Sequence, residues 1–299
     1  MGFRRRPDSY PPGQQSSGEC RVHGIAHGID LRIRDLCNSG IGLCVKIATW
    51  NVNSIRVRLP QVLDWLATES PDILALQETK IVDALFPAAE FGQLGYHALC
   101  NGQKTYNGVA ILSRVEATII SAGLPTYPDP QKRFLYAKCG NLAVLNLYVP
   151  NGNTVGSEKY TYKLDWLTQL QMFVQKELLR QELLVVLGDF NIAPTDADVY
   201  DPAAWRDQVL VSEAERAHFF QLIDKGLVDS YRLLNQDGRE FTWWDYRAAG
   251  FERNHGLRID HILVSKQLAE CCKNCRIDTV PRKLERPSDH APVIATFAL

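Results

Sequence analysis

The chain of 299 residues predicts an α/β fold in which two mixed β-sheets pack together with helices outside. Three observations predict it. From Val45 onward, short apolar strands alternate with amphipathic helical stretches. Several strands follow one another as hairpins, which argues against a doubly wound parallel sheet. No segment repeats at a fixed period, although "DILALQET" and "LLVVLGDFN" both end an apolar strand with an acid.

Residues 1–44 stand apart. "MGFRRRPDSYPPGQQSSGEC" is rich in Arg, Pro, Gly, Gln and Ser, has no hydrophobic period, and cannot bury enough apolar surface to order itself. The "RRR" at 4–6 is followed by "PDSYPPG" and not by an apolar core, so it is no export signal. Four acidic residues in the segment argue against a transit peptide. Cys20, His23, His27 and Cys37 fit no standard zinc-finger spacing. A disordered tail, or a start site placed too early, is expected over 1–44, and a single domain over 45–299.

Within that domain, "VKIATWNVN" is a strand ending in polar residues. "LPQVLDWLATES" is a helix with Pro60 in its first turn and Val62, Leu63, Leu66 and Ala67 at helical spacing. "DILALQET" is a strand ending in Gln77 and Glu78, and "GVAILSR" is another. "FLYAKCGNLAVLNLYVPN" is a hairpin turning at Gly140-Asn141. Residues 158–181 form a long amphipathic helix with Leu164, Leu167, Leu170, Phe173, Val174 and Leu178 along one face. "ELLVVLGDFN" is a buried strand. Residues 212–226 form a second helix, with Gly226 suited to its stop. "FTWWDY", "LRIDHILVS" and "APVIATFAL" are strands.

The net charge of −1 is not that of a protein that coats nucleic acid through its overall field. Polyanion binding would need a local basic face or a bound metal, and a site crowded with carboxylates would itself lower the total. No apolar run approaches the ~18 residues of a membrane span, so a soluble, intracellular protein is expected. "CCKNC" contains a CxxC spacing, Cys272 to Cys275, but no second pair follows to close a zinc site. Reduced, partly buried thiols are expected there.

The chemistry concentrates at strand ends. Asn51 and Asn53, Glu78, Tyr148, Asp189 and Asn191, Asp260, and Asp289 with His290 all follow or interrupt apolar strands. Residues i and i+2 of a strand point the same way, so Asn51 is in phase with Asn53 and Asp189 with Asn191. Asp and Asn are poor strand formers, and a local cost repeated in segment after segment is the mark of a functional site. Each has a plainer reading: a turn cap at Asp189-Asn191, a surface acid at Glu78, a turn at Asp289-His290, a core tyrosine at Tyr148. An oxygen-rich donor set with little Cys or His suits Mg²⁺ or Mn²⁺ and not zinc. One His beside acids, with Asp260 placed to hold His290, fits phosphoester hydrolysis. The adjacent Trp243 and Trp244 point to opposite faces, as a core pair or as an apolar platform for a base or sugar. Lys104, on a Gly/Asn loop, is a phosphate contact or a plain surface lysine.

"WNVNSIR", "LQETK", "NLYVPN", "GDFNIAPTD", "WWDYR", "GLRIDHIL" and "PSDHAP" occur in the order found in the exonuclease III family of abasic-site endonucleases, within the endonuclease/exonuclease/phosphatase superfamily. The resemblance covers residues 45–299. It implies a four-layer α/β sandwich and Mg²⁺-dependent hydrolysis, with Mn²⁺ able to substitute. It also implies a double-stranded DNA partner, cut 5′ to abasic sites and trimmed or unblocked at 3′ ends. Glu78 is then the principal metal ligand, with Asn51 and Asp289 beside it. Asp189 handles the attacking water or the leaving oxygen, and Asn191 positions Asp189 and the phosphate, both within reach of the metal. Tyr148 contacts the phosphate, and His290, paired with Asp260, stabilises the developing charge. Trp243, Trp244 and Leu257 match an apolar pocket for a flipped-out sugar, extruded most cheaply where the base is missing.

The loop "APTDADVYDPAAWRDQ" departs from the best-known member, which leaves the balance between abasic cleavage and 3′-end trimming open. A 3′-end specialist is therefore the alternative. Another phosphoesterase of the superfamily, or a DNA-binding module on a dead scaffold, stands behind it. A cytoplasmic monomer acting at the bacterial nucleoid is expected.

Overall fold

The computed structural model describes residues 44–299. The stretch 1–43, with Cys20, His23, His27 and Cys37, lies outside the described residues.

The strands are β1 (Cys44–Asn51), β2 (Ile73–Gln77), β3 (His97–Asn101), β4 (Val109–Ser113), β5 (Ala117–Ser121), β6 (Phe134–Cys139), β7 (Leu142–Tyr148), β8 (Leu184–Asp189), β9 (Leu227–Asp229), β10 (Trp243–Trp244), β11 (Gly256–Leu257), β12 (Asp260–Ser265), β13 (Cys272–Ile277) and β14 (Val293–Ala298). Two six-stranded sheets form, ordered β13-β14-β1-β2-β4-β3 and β5-β6-β7-β8-β12-β9. Ile47, Ala75, Ile111, Ala137, Val144, Val185, Leu187 and Ile262 fill the space between them. Leu184 and Val186, alternating with Val185 and Leu187, turn outward under Trp166, Leu167, Leu170 and Phe219 of the helices Glu158–Leu178 and Glu213–Asp224. The helix Ile55–Glu69 covers the other sheet through Ile55, Val62, Trp65 and Leu66. The result is the four-layer sandwich: helix, sheet, sheet, helix.

The two sheets share a plan. Each has one parallel pair, β1 with β2 and β7 with β8, flanked by antiparallel neighbours. The echo between "DILALQET" and "LLVVLGDFN" is this repeated arrangement: β2 and β8 are the second members of the pairs. Both pairs finish at the same end of the sandwich, where Asn51 is level with Gln77 and Tyr148 with Asp189. Below them Gln77 donates to Asn146 Oδ1 at 2.8 Å and Asn146 donates back to the Leu76 carbonyl at 3.0 Å, locking one sheet to the other.

Several boundaries differ from the sequence expectation. The first helix begins at Ile55, so Pro60 lies inside it and not in its first turn. The turn before it is fixed by tertiary bonds, Ser54 and Ile55 N–H to the carbonyls of Glu78 and Thr79, which no local propensity reports. "FTWWDY" contracts to the two-residue β10, and "LRIDHILVS" splits into β11 and β12. The strands β3, β5, β9 and β13 were not expected. "CCKNC" falls in β13 with Cys272 and Cys275 buried as free thiols, and among the described residues no cysteine joins a group able to hold a metal. No helix among the described residues is long and apolar enough to cross a membrane.

Candidate active site

The ends of the two parallel pairs bend sharply. Asn53, Ser54, Glu78, Lys80 and Asn191 all have positive φ, a cost of order 1–3 kcal/mol each in the less populated regions, held only by the surrounding structure. Just before Asp189, Gly188 has a φ of 138°, and a Cβ there would lie 2.0 Å from the Leu147 carbonyl oxygen. Only glycine lets β8 run this close to β7 and present Asp189 at its end.

These bends bring the predicted carboxylates together. Asn51 Nδ2 donates to Glu78 Oε1 and to Asp189 Oδ2, both at 2.9 Å. Asn51 Oδ1 accepts the Asn53 N–H at 3.0 Å. In this arrangement Asn51 therefore offers the carboxylates a bridging donor, its oxygen being occupied. Asp189 Oδ1 accepts the Asn191 N–H at 2.9 Å. Asn191 in turn donates to the Val149 carbonyl and accepts from Asn151.

On the opposite bank, His290 Nδ1 lies 2.8 Å from Asp260 Oδ2, and His290 Nε2 lies 3.8 Å from Asp189 Oδ2. Thr242 Oγ1 accepts the N–H groups of Ile259 and Asp260 at 3.0 and 3.1 Å and so fixes the start of β12. Asp260 Oδ1 is buried without a hydrogen-bond partner. Burial opposes a charge on His290, but the carboxylates of Asp260 and then Asp189 more than offset it and raise its pKa to about 10. Burial pushes the Asp189 carboxyl upward, and the Asp260 charge adds to the push. Burial and the charges of Glu78 and Asp189 hold the Tyr148 hydroxyl well above its usual range, so it remains a donor. The Arg133 guanidinium sits 4.6 Å over its ring.

Asp289 joins the same cluster through Asn53 and Trp243. Its two oxygens accept from Asn53 Nδ2 at 2.9 Å and Trp243 Nε1 at 3.1 Å. Of the three apolar residues expected to line a pocket, only Trp243 keeps exposed surface. Trp244 is 2% exposed and packs edge-on to Phe251, and Leu257 is fully buried beside Val199 and Ile259. Lys104 is exposed on its loop.

Several participants were not anticipated. Lys80 bridges Glu78 Oε2 at 2.7 Å and Asn53 Oδ1 at 2.6 Å; it is in phase with Glu78 within "LQETK". Asn151 closes "NLYVPN" as Asn191 closes "GDFN". Lys163 lies behind both, a charge on the apolar stripe of its helix. Among the described residues, the group able to hold a metal is Glu78, Asp189 and His290, with one candidate atom of each within 4.8 Å of the others.

The sequence matches the profile of the Endonuclease/Exonuclease/phosphatase family over residues 48–290. It is 39% identical to exodeoxyribonuclease III of Haemophilus influenzae over 266 residues, 85% of this chain and 100% of that protein. The 3′ phosphatase NExo from Neisseria, solved with a product DNA hairpin, superposes with a TM-score of 0.84 at 50% identity, covering 85% of this chain and 100% of that one. An AP endonuclease from Archaeoglobus fulgidus superposes with a TM-score of 0.83 at 43% identity over the same shares.

Proposed function

The chain belongs to the endonuclease/exonuclease/phosphatase family, and on that footing we propose that it is a Mg²⁺-dependent DNA repair nuclease. Its substrate is duplex DNA, cut 5′ to abasic sites and trimmed or unblocked at 3′ ends. One observation carries the reading. Glu78, Asp189 and His290 converge within 4.8 Å, with Asp260 holding the imidazole from behind.

The donor chemistry fits a hard cation. An imidazole kept protonated by Asp260 offers no lone pair, so the ligand atoms are carboxylate oxygens of Glu78 and Asp189, with Asp289 alongside. That set suits Mg²⁺, with Mn²⁺ able to replace it. When bound, such a cation would supply Lewis acidity at the phosphoryl group.

The chain's own groups do the rest. Asn51 and the Asn191 N–H hold Asp189 by one oxygen each. A buried carboxylate whose pKa is raised is suited to take a proton from water or return one to the leaving oxygen. His290, kept cationic, directs an N–H at the charge that develops on the phosphorus oxygens, and Tyr148 donates from the other side. Asn191 shares the phosphate with them. The exposed part of Trp243 receives the sugar, with Trp244 and Leu257 as its packing. Lys104 reaches a flanking phosphate. Residues 45–299 act as one catalytic domain and as a monomer, in the cytoplasm and on the nucleoid.

The likeness to a Neisseria 3′ phosphatase at 50% identity supports a second reading. In it, 3′ ends are the main substrate and abasic cleavage is weak. One assay separates the two. A labelled duplex with a single abasic analogue is incubated with the protein in Mg²⁺, in EDTA, and with Asp189→Ala. A Mg²⁺-dependent cut 5′ to the lesion, lost in the variant, is the expected result. Shortening from the 3′ end without that cut selects the second reading. No cleavage in Mg²⁺ or Mn²⁺ overturns both.

A further inference from the structure

Lys163 is fully buried, and its ammonium has three acceptors for its three hydrogens. They are Glu215 Oε1 at 2.5 Å, the Asn191 carbonyl at 2.7 Å and the Asn151 carbonyl at 3.1 Å. Glu215 does not depend on Lys163 for partners. It also accepts the Leu210 N–H at 3.0 Å and caps its own helix through Ser212 at 2.6 Å. Hydrogen bonds alone thus seat Glu215, and an apolar residue opposite an uncharged glutamine would fill the same space without burying an ion pair.

What only a cation with several hydrogens does here is hold two backbone carbonyls at once. Those carbonyls belong to Asn151 and Asn191, which follow β7 and β8 and whose side chains meet at 3.1 Å. Asn191 needs holding, because it sits in the left-handed region with a φ of 50°. Its N–H fixes Asp189 Oδ1. The fit is close on the other side as well: a Cβ on Gly152, whose φ is 94°, would lie 3.1 Å from Lys163 Cδ.

We propose that Lys163 is a positioning residue of the active site. It clamps the Asn151 and Asn191 backbones from inside the fold and thereby sets the orientation of the Asp189 carboxylate. The assignment rests on the nuclease reading above for its catalytic consequence, and on the contacts alone for the clamp.

Two variants test it, Lys163→Met and the double variant Lys163→Met with Glu215→Gln. The single variant leaves Glu215 as an unpaired buried charge and melts lower; the double removes that charge and regains melting temperature. On abasic duplex in Mg²⁺, both are expected to lose about ten- to a hundredfold in kcat with KM little changed, as for a misplaced catalytic group. Amide exchange at Asn191 should be faster in the double variant than in the parent protein at matched global stability. Activity that recovers together with melting temperature overturns the proposal, as does unchanged exchange at Asn191. If the parent protein fails to cut DNA, the nuclease reading falls, and the exchange measurement still decides whether Lys163 is the clamp.

Discussion

Two clusters of charge are buried side by side in this protein, and only one of them looks like a site. Arg258 and His261 belong to the first; Asp260, between them in sequence, belongs to the second. In the first, Arg258 donates to Asp198 at 2.6 Å and to Asp229 at 2.9 Å, and Arg232 also pairs with Asp198. His261 lies 3.0 Å from Arg258 Nη1 and 2.9 Å from the Ile192 carbonyl oxygen. Two guanidinium groups face two carboxylates, and apart from Arg258 Nη2 and Arg232 Nε their polar atoms are partnered. In the second, among the described residues, Glu78, Asp189, Asp260 and Asp289 have only Lys80 and His290 as ion-pair partners within 4.0 Å. A balanced cluster joins segments far apart in sequence. An unbalanced one, held by strained backbone, is arranged for something that arrives from outside.

The largest expected effect breaks the comparison at its sharper end. Asp189→Asn should lower kcat on the order of a thousandfold, within the range of a lost general acid or base, with stability to denaturant held or raised because one crowded carboxylate loses its charge. A fall in stability with kcat preserved would move Asp189 to the structural class. The mirror experiment is Asp198→Asn. It strands Arg258 and Arg232 against one remaining carboxylate and should cost about 3–5 kcal/mol of stability. The denaturation midpoint reads this, and kcat per folded molecule should stay near that of the parent.

The balanced cluster also dictates a pH profile. Burial first, and then the Arg258 charge, lower His261 to about 4. The folded protein therefore leaves this ring neutral at a pH where the unfolded chain protonates it. Stability is fully present above the unfolded value near 6.5 and declines as pH falls towards 4, by about 2 kcal/mol at pH 5. Asp198 behaves differently: burial works against its charge, but Arg258 and Arg232 outweigh it and lower it to about 2. Its contribution is present above the usual carboxylate range and is lost as pH falls from there through about 2. Asp189 and His290, both raised, gain stability over the same window, so denaturant midpoints at pH 7 and pH 5 are compared between the parent and His261→Gln. A difference between the two proteins that does not change with pH would mean that His261 is not held neutral.

The two clusters were unequally legible in the sequence. Glu78, Asp189, Asn191, Asp260 and His290 stood out because each breaks an apolar strand end, and the i, i+2 rule put Asp189 in phase with Asn191. Phase also contained Lys80, two residues after Glu78. Arg258, Asp198 and Asp229 gave no such signal: they come from a loop and two short elements, and only the fold shows that they meet. Lys163 went unmarked beside the stripe that begins at Leu164, and its partners, two backbone carbonyls, leave no trace in side-chain pattern. The same limit explains the first helix. Its start at Ile55 is set by hydrogen bonds to Glu78 and Thr79, and local propensity placed it later. The short edge and bridging strands β3, β5 and β9 were lost because they are too short, or too mixed in composition, to carry a period.

The smallest effect asks whether the excess of negative charge is met by a cation. A ligand that binds the folded state alone stabilises it by about 1.4 kcal/mol when present at ten times its Kd. Mg²⁺ should therefore raise the melting temperature modestly, without DNA and without turnover. Glu78→Gln removes the charge of the proposed ligand and should abolish most of the shift. Asp198→Asn should melt lower but keep the full shift, because its carboxylate has no part in the unbalanced cluster. A shift that disappears in Asp198→Asn and survives in Glu78→Gln would place the cation among the arginines, where two positive charges already oppose it. The comparison would then fail on its own terms, since charge imbalance would no longer mark the site.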